Sequence, residues 1–489
     1  IAKWFEKHCT VQRGQIELVP EKRIGPSAMI PIRFEQLLEA VDGTIGRHGG
    51  GLAGSRTRQF GQVVTDSRSV RPGDLFVALP GRLHHGEEFL SDAASAGATA
   101  AVVERDGVVC DGLDCVQVED SLAALWRLAE WNRDQSSAER VAVTGSFAKT
   151  TTRQMIHTVL SVRGRSRQSP RNYNNQVGVP LSLLEIGLED RFAVIEVAAS
   201  GLGEIEPLTR LVRPSVAVMT GVGRAHLHGF GSVEELSREK MRLVGSVQPG
   251  GLAVIPAECR PRLPRLPRDV QVVTVGVETD ADIVATDVDH DSGMLRFDVA
   301  GQRFELTVAG RHFVRSAMAA VAVGRWAGVS DSETATALAS FRTEAGRCRV
   351  EQTSQGTVID DSYNASPESM LAACELLKEW NTVGRRVLVV GDMAELGVHS
   401  EVCHAEVGAA VGGGDGIDQL WAAGRWAEST VEAAIEAGMS RETTRVCLSV
   451  DALLDALPGW MQPGDTLLVK GSRRSRMERV VQQLREVDC

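Results

Sequence analysis

The stretch Val141-Ala142-Val143-Thr144-Gly145-Ser146-Phe147-Ala148-Lys149-Thr150-Thr151-Thr152 restricts the folds open to this chain more than any other. The apolar run Val141 to Val143 reads as a buried strand. A turn of small residues follows, and then a helix whose apolar positions Met155, Ile156, Val159 and Leu160 make one buried stripe. A strand, a tight turn and a helix opening on Lys-Thr form a cradle for an anion, because the first-turn N–H groups and the helix dipole both favour negative charge there. In such a cradle Lys149 reaches the terminal phosphates of a nucleotide and the Thr150 hydroxyl faces Mg²⁺. The spacing departs from G-x-x-x-x-G-K-[ST]: the residue six before Lys149 is Val143, and Ala148 stands where such loops carry Gly. If that position needs a positive φ, Ala costs about 1 kcal/mol. Taken alone, the segment reads equally well as an ordinary helix start.

At 489 residues the chain has room for about three domains, each with its own core. A formal charge of −11, with both signs mixed along the chain, argues against a non-specific nucleic-acid binder. No apolar run approaches the roughly 18–20 residues of a membrane span. Lys3, Glu6, Lys7 and His8 break up any signal-peptide core, so a cytoplasmic protein is expected. The nine cysteines are scattered without C-x-x-C spacing, as expected of reduced thiols. The chain begins on Ile1, so an upstream extension or an altered start is expected, and residues 1–28 show no periodic pattern and read as a mobile or loosely docked extension.

From Met29 onward strands and helices alternate. A helical stripe (Phe34, Leu37, Leu38, Val41) leads to a glycine-rich turn, Gly46 to Gly54. Strands follow at Val63-Val64, Leu75 to Leu79 and Ala100 to Val103, with a helix over Phe89 to Ala96. Asp66-Ser67-Arg68 at a strand end could hold a polar or phosphorylated ligand, but by pattern alone it reads more readily as a surface turn capped by its Asp. After the helix Ser121 to Asp134 a second unit begins. Beyond the phosphate cradle it carries the amide-rich loop around Asn174-Asn175, then the strand Phe192 to Val197. An acid on so apolar a strand costs several kcal/mol if unpaired, which points to Glu196 as a metal ligand beside a nucleotide. Pro256 to Pro267 interrupts the pattern. Three alternating strands over 282–308 then read as antiparallel. The third unit shows polar clusters at strand ends: Asp360-Asp361, Gly391-Asp392 and Lys470-Gly471-Ser472. The order of elements predicts an α/β protein of three domains, with a central P-loop-type, mostly parallel, doubly wound sheet and a Rossmann-like C-terminal domain. The expected divisions are 1–28, 29–137, 138–341 and 342–489.

Six motifs in order resemble the Mur ligases, the ATP-dependent amide-bond ligases of peptidoglycan synthesis. They are Thr65-Asp66-Ser67-Arg68 with Pro72-Gly73-Asp74; Asn174-Asn175 with Gly178-Val179-Pro180; Ala225-His226-Leu227 with Gly229-Phe230-Gly231-Ser232; Asp360 to Ala365; Gly391-Asp392-Met393 with Glu395-Leu396-Gly397; and Lys470-Gly471-Ser472-Arg473. Within the family, the fourth and fifth resemble the branch that joins D-alanyl-D-alanine to UDP-N-acetylmuramoyl-tripeptide. The resemblance implies that Asp66, Ser67, Arg68, Asn174 and Asn175 serve the UDP substrate. ATP would meet Lys149 and Thr150, with Gly145, Ser146 and Thr151 around them, and Arg347, Asp361, Tyr363 and Asn364 closing from the third domain. Mg²⁺ would be held by Thr150, Glu196, His226 and Lys240. The last matches the family lysine that is carbamylated, although its pattern reads as a solvated helix lysine. Lys149, His226 and Lys240 would be catalytic, and Asp392, Lys470 and Ser472 would face the incoming dipeptide. A monomer is expected.

The departures from the family pattern, besides Ala148, are Gly221, Phe313 and Ser316 where Asn is usual, and Ser366 before Pro367. All but the last surround the nucleotide pocket. They leave two rivals to an active ligase of this branch: a lapsed enzyme that only binds, and a sibling ligase with another acceptor.

Overall fold

The computed structural model describes residues 29–45, 60–81, 83–354, 356–457 and 459–486; the segment 1–28 and the turn Gly46 to Gly54 lie outside them. Three sheets follow one another along the chain. The first has β1 (Thr44–Ile45), β2 (Val63–Val64), β3 (Leu75–Val77), β4 (Ala100–Val103) and β5 (Asp114–Gln117) in the order β1-β5-β4-β3-β2, parallel except for β1. The sequence pattern shows only three of these strands. β1 and β5 are short and interrupted by polar residues, so pairing rather than local preference makes them strands.

The central sheet joins β6 (Glu139–Thr144), β7 (Ser166–Gln168), β8 (Phe192–Glu196), β9 (Val216–Met219), β10 (Leu252–Pro256), β11 (Gln271–Val277), β12 (Ile283–Asp291), β13 (Met294–Val299) and β14 (Gln302–Leu306). Its order is β14-β13-β12-β11-β10-β9-β6-β8-β7. β13 pairs antiparallel with both β12 and β14, and all other pairings in the sheet are parallel, so β13 alone runs against the rest. The alternating strands thus extend the central sheet at one edge. The proline-rich stretch is the crossover between β10 and β11, partly wound as the 3₁₀ turn Ala257–Arg262.

Helices cover both faces, which explains why the inner strands are apolar throughout rather than alternating. Val141 and Val143 of β6 point into one core layer with Met155, Ile156 and Val159 of the helix Lys149–Leu160 and with Val314 and Ala317 of the helix Phe313–Trp326. Ala142 points into the other, with Leu183 and Leu184 of the helix Gly178–Leu184 and Leu236 and Leu243 of the helix Val233–Gly245. A buried amide ties this unit to the start of the chain: Asn132 Oδ1 accepts from Ile30 N at 3.1 Å, and its Nδ2 donates to the carbonyls of Leu183 and Ile186 at 2.9 and 3.0 Å.

The third sheet contains β15 (Arg349–Thr353), β16 (Gly356–Asp361), β17 (Arg386–Gly391), β18 (Gln419–Ala423), β19 (Thr444–Cys447) and β20 (Asp465–Lys470) in the order β15-β16-β20-β17-β18-β19. β20 returns between β16 and β17, parallel to both, so that strand order breaks there and leaves a crevice for a ligand at their C-terminal ends. There Asp361 and Lys470 are register partners.

Candidate active site

The loop after β6 is held by its neighbours before any ligand arrives. Ser146 N donates to Gly221 O at 2.9 Å, Ser146 Oγ to Gly223 O at 3.3 Å, and Thr220 Oγ1 to Phe147 O at 2.5 Å. Gly145 has φ 153°, and a Cβ there would overlap Thr220 Oγ1, so the position demands glycine. Ala148 has φ 57° and ψ 10°. The open question about this residue is thereby answered: the position is left-handed, and Ala carries a strain of about 1 kcal/mol. Phe147 meets Gly221, one of the departures from the family pattern, here. A Cβ on Gly221 would come 2.5 Å from Phe147 Cζ, so the ring takes the space a side chain would fill.

Lys149 opens the helix and bends back over the loop, donating to Gly145 O at 2.8 Å and lying 3.5 Å from Ser146 O. Burial pushes its ammonium below the ordinary lysine range, Glu196 opposes that shift, and Arg347 adds to it. Next to it, β6 and β8 are register partners through Val143 and Glu196. Glu196 is 1% exposed and every demand of its carboxylate is met. Thr150 Oγ1 donates to Oε2 at 2.9 Å, Asn174 Nδ2 to Oε1 at 2.8 Å, and the guanidinium of Arg153 stands 3.7 Å from Oε2. Arg347 of the third domain reaches in, its NH2 donating to Thr150 Oγ1 at 3.1 Å. Thr151 is buried beside Thr150.

Lys240 overturns its pattern-based reading as a solvated lysine. It is fully buried on the helix Val233–Gly245, its Nζ has no hydrogen-bond partner among the described residues, and it lies 5.6 Å from the centre of the Phe230 ring. Burial first, and then the charge of Lys149, bring its pKa down to about 7, against the pull of Glu239 and Glu204. A buried lysine drawn toward neutrality and left without a hydrogen-bond partner makes a candidate for a reactive amine. His226 has φ 63°, and its Nδ1 contacts Glu395 of the third domain.

In the third domain the residues assigned to nucleotide and to acceptor form one connected cluster. Lys470 Nζ donates to Asp361 Oδ2 at 2.5 Å and to the carbonyl of Asn364 at 3.0 Å. Tyr363 carries Arg347 at 4.1 Å and Arg473 at 5.7 Å from its ring centre. Asp392 accepts from the backbone N–H groups of Arg425 and Trp426 at 2.9 and 3.0 Å, while its carbonyl accepts from Ser472 N at 3.0 Å. In the first domain, Asp66 accepts from Arg68 N at 3.0 Å and pairs with the Arg68 guanidinium at 2.7 Å, with Ser67 between them. That is the geometry of a capped surface turn. Asn175 Oδ1 accepts from Val177 N and Gly178 N at 3.1 and 2.9 Å and caps a helix, while the Asn174 amide turns toward Glu196.

Three residues of this site carry no role in the sequence reading. Arg153 is one turn beyond Lys149, and that i+4 spacing was its only local signal. Glu395 lies inside a quoted motif but has no partner in sequence. Glu344, 3.8 Å from Arg153, has none either. For a divalent cation the donors at hand are the Thr150 hydroxyl and the Glu196 carboxylate. Both are hard oxygen donors, and few of them, which suits Mg²⁺ because it keeps waters and takes phosphate oxygens for the rest. Among the described residues no three His, Cys, Asp or Glu side chains gather as a metal cluster.

Comparison with known proteins bears on all three units. Family models described as the Mur ligase catalytic domain, the Mur ligase middle domain and the Mur ligase glutamate ligase domain match residues 60–128, 143–324 and 346–473. A UDP-N-acetylmuramoyl-tripeptide–D-alanyl-D-alanine ligase of Bacillus subtilis is 32% identical over 87% of this chain and 93% of its own. A crystal structure of MurF from Acinetobacter baumannii superposes with a TM-score of 0.82 at 29% identity, covering 94% of this chain and all of that one. MurF ligase from Thermotoga maritima in complex with ADP superposes with a TM-score of 0.74 at 29% identity, over 87% of this chain and 97% of that one.

Proposed function

The chain belongs to the Mur ligase family, and from that premise we propose that it is the ATP-dependent ligase that joins D-alanyl-D-alanine to UDP-N-acetylmuramoyl-tripeptide in peptidoglycan precursor synthesis. The observation that carries the reading is the convergence of Lys149, the Thr150–Glu196 pair and the unpartnered Lys240 at one end of the central sheet, with Arg347 arriving from the third domain.

The chemistry asks for this set. A carboxylate is a poor electrophile at neutral pH. Its oxygen attacks the γ-phosphorus of ATP, the bond to ADP breaks, and the acyl phosphate that results is attacked by the dipeptide amine. The amide forms, phosphate leaves with the electron pair of the C–O bond, and the amine gives up a proton. Lys149 and Arg347 supply fixed positive charge where the phosphoryl oxygens gather. Thr150 and Glu196 would hold Mg²⁺, and His226 with a carbamylated Lys240 a second ion. Bound there, the ions screen phosphate charge and polarise the transferred group. The third domain brings Asp361, Tyr363 and Asn364 over the nucleotide and shields the acyl phosphate from water. Asp392, Lys470 and Ser472 border the acceptor, and Asp66, Ser67 and Arg68 the UDP end. Gly145, Ser146 and Thr151 would frame the phosphates, and Asn174 and Asn175 would serve the UDP substrate. We take 29–137, 138–341 and 342–489 as the three working units, in a cytoplasmic monomer. The seven described cysteines are all unpaired, as in a reducing compartment. No described helix is long and apolar enough to cross a membrane.

The lapsed-enzyme reading rests on the departures Ala148, Gly221, Phe313 and Ser316, and among the non-glycine ones only Ala148 is held in a left-handed backbone. Its strain, about 1 kcal/mol, is small beside a retained set of buried charges that would be costly to keep without use. The deciding assay mixes the purified chain with UDP-N-acetylmuramoyl-tripeptide, ATP, Mg²⁺ and D-alanyl-D-alanine. Phosphate is expected only when all are present; no release under any condition ends this reading, and release with another amino acid in place of the dipeptide moves it to a sibling ligase.

A further inference from the structure

The loop that carries His226 is gripped by the third domain at a second point, which the chemistry above does not use. Gly223-Arg224 follows β9, and Gly223 is fixed to the phosphate loop through Ser146 Oγ. From there Arg224 reaches across the domain boundary. Its backbone N–H and its Nε both donate to Glu368 Oε1 at 3.0 Å. Its terminal nitrogens fork onto Glu406 at 2.5 and 3.2 Å.

Both carboxylates are well placed by their helices. Glu368 lies in the first turn of the helix Pro367–Glu379, where negative charge is favoured, and Glu406 stands on the helix Ser400–Gly412. The fit is steric as well: a Cβ on Gly223 would come 2.7 Å from the Glu368 carboxyl carbon, so the loop is hollowed to admit that side chain. A forked guanidinium–carboxylate pair fixes orientation as well as distance. The side chains of Arg224, Glu368 and Glu406 are 30%, 28% and 41% exposed, so water moderates the attraction. That degree of exposure suits a contact that must form and release in each turnover. Two residues further on, Glu395 meets His226, and His228 N donates to Glu395 O at 3.3 Å.

We propose that Arg224 is a positioning residue that latches the third domain shut over the phosphate loop by bridging Glu368 and Glu406. The latch sets the fraction of molecules in which Arg347 stands at Thr150 and Glu395 at His226, since those contacts cross the same boundary. This inference rests on the ligase reading for its effect on turnover, but not for its effect on shape.

The test compares the full-length protein with Arg224→Ala, Arg224→Lys and the double variant Glu368→Gln/Glu406→Gln. Each is measured by small-angle scattering without nucleotide and by steady-state phosphate release. Arg224→Ala and the double variant are expected to enlarge the radius of gyration and lower kcat about tenfold, with KM for ATP changed less than about threefold. Arg224→Lys recovers part of both, because it keeps the charge and loses the fork. Combining the alanine and double glutamine changes adds no further loss, as expected of one shared interaction. Unchanged scattering in both disabled variants overturns the latch, and so does a loss of kcat without expansion. If Arg224→Ala does not fold, the double variant on the opposite domain carries the same comparison. Expansion in variants of a parent protein that never releases phosphate retains the latch and ends the ligase reading instead.

Discussion

Thr150 Oγ1 donates to Glu196 Oε2 across 2.9 Å, tying the first turn of the phosphate-loop helix to the end of β8. The bond fixes a hydroxyl and a carboxylate side by side at the point where the loop turns. Arg153 backs the same carboxylate from one helical turn away, with both side chains almost fully buried.

Glu196 therefore has two separable duties. Glu196→Gln keeps the shape and removes the charge, and phosphate release is expected to fall at least about a hundredfold. Glu196→Ala also takes from the buried Arg153 guanidinium its one buried carboxylate, leaving it the half-exposed Glu344 and the carbonyl of Arg171, and urea unfolding should show a loss of about 3 kcal/mol. Near-normal turnover in Glu196→Gln would exclude this carboxylate from the metal site.

Ala148→Gly relieves a left-handed alanine. A gain of up to about 1 kcal/mol in unfolding free energy is expected, with the rate changed less than about threefold. The measurement is a urea midpoint beside a phosphate-release assay. A rate gain of a hundredfold or more would mean that the natural loop is impaired.

Lys240 should carry carbon dioxide. In protein exchanged into carbon-13 bicarbonate, one carbamate resonance is expected, absent from Lys240→Ala. Turnover in that variant should fall at least about a hundredfold, Lys240→Arg should not restore it, and added short-chain carboxylates should restore part. A spectrum with no carbamate signal at saturating bicarbonate would leave Lys240 as a buried amine only.

His157, bonded to Ser166 Oγ at 2.9 Å, and His312, tilted against the Phe313 ring with centroids 4.4 Å apart, both have pKa values brought down to about 4 by burial. Their folded values lie below the roughly 6.5 of an unfolded histidine. The unfolded chain therefore takes up protons first as the pH drops. Their contribution to stability is whole above about pH 6.5 and is lost as the pH falls through 4. Urea titrations between pH 7 and 4 should show this loss, and His157→Gln should make it shallower. An unchanged slope in that variant would remove His157 from the acid response.

The fold and the charged set were legible in the sequence to the extent that they depend on local pattern. The apolar run of β6, the stripe on its helix and the lone acid of β8 each declare themselves within a few residues. Strands such as β5 and β19 do not, because only their partners stabilise them. Lys240 is the clearest failure of pattern. Its neighbours Glu239 and Arg238 make it look solvated, yet the helix turns it toward Phe230 and the phosphate loop.

The sequence by itself determined the family motifs and the order in which its three units come, since motif spacing and hydrophobic period are properties of neighbouring residues. Tertiary structure alone decided which charges meet. Arg224 finds Glu368 and Glu406, Arg347 finds Thr150, and Lys470 finds Asp361 across separations of 144, 182, 197 and 109 residues. Such pairs depend on how sheets and domains dock, and no local pattern along the chain encodes that distance.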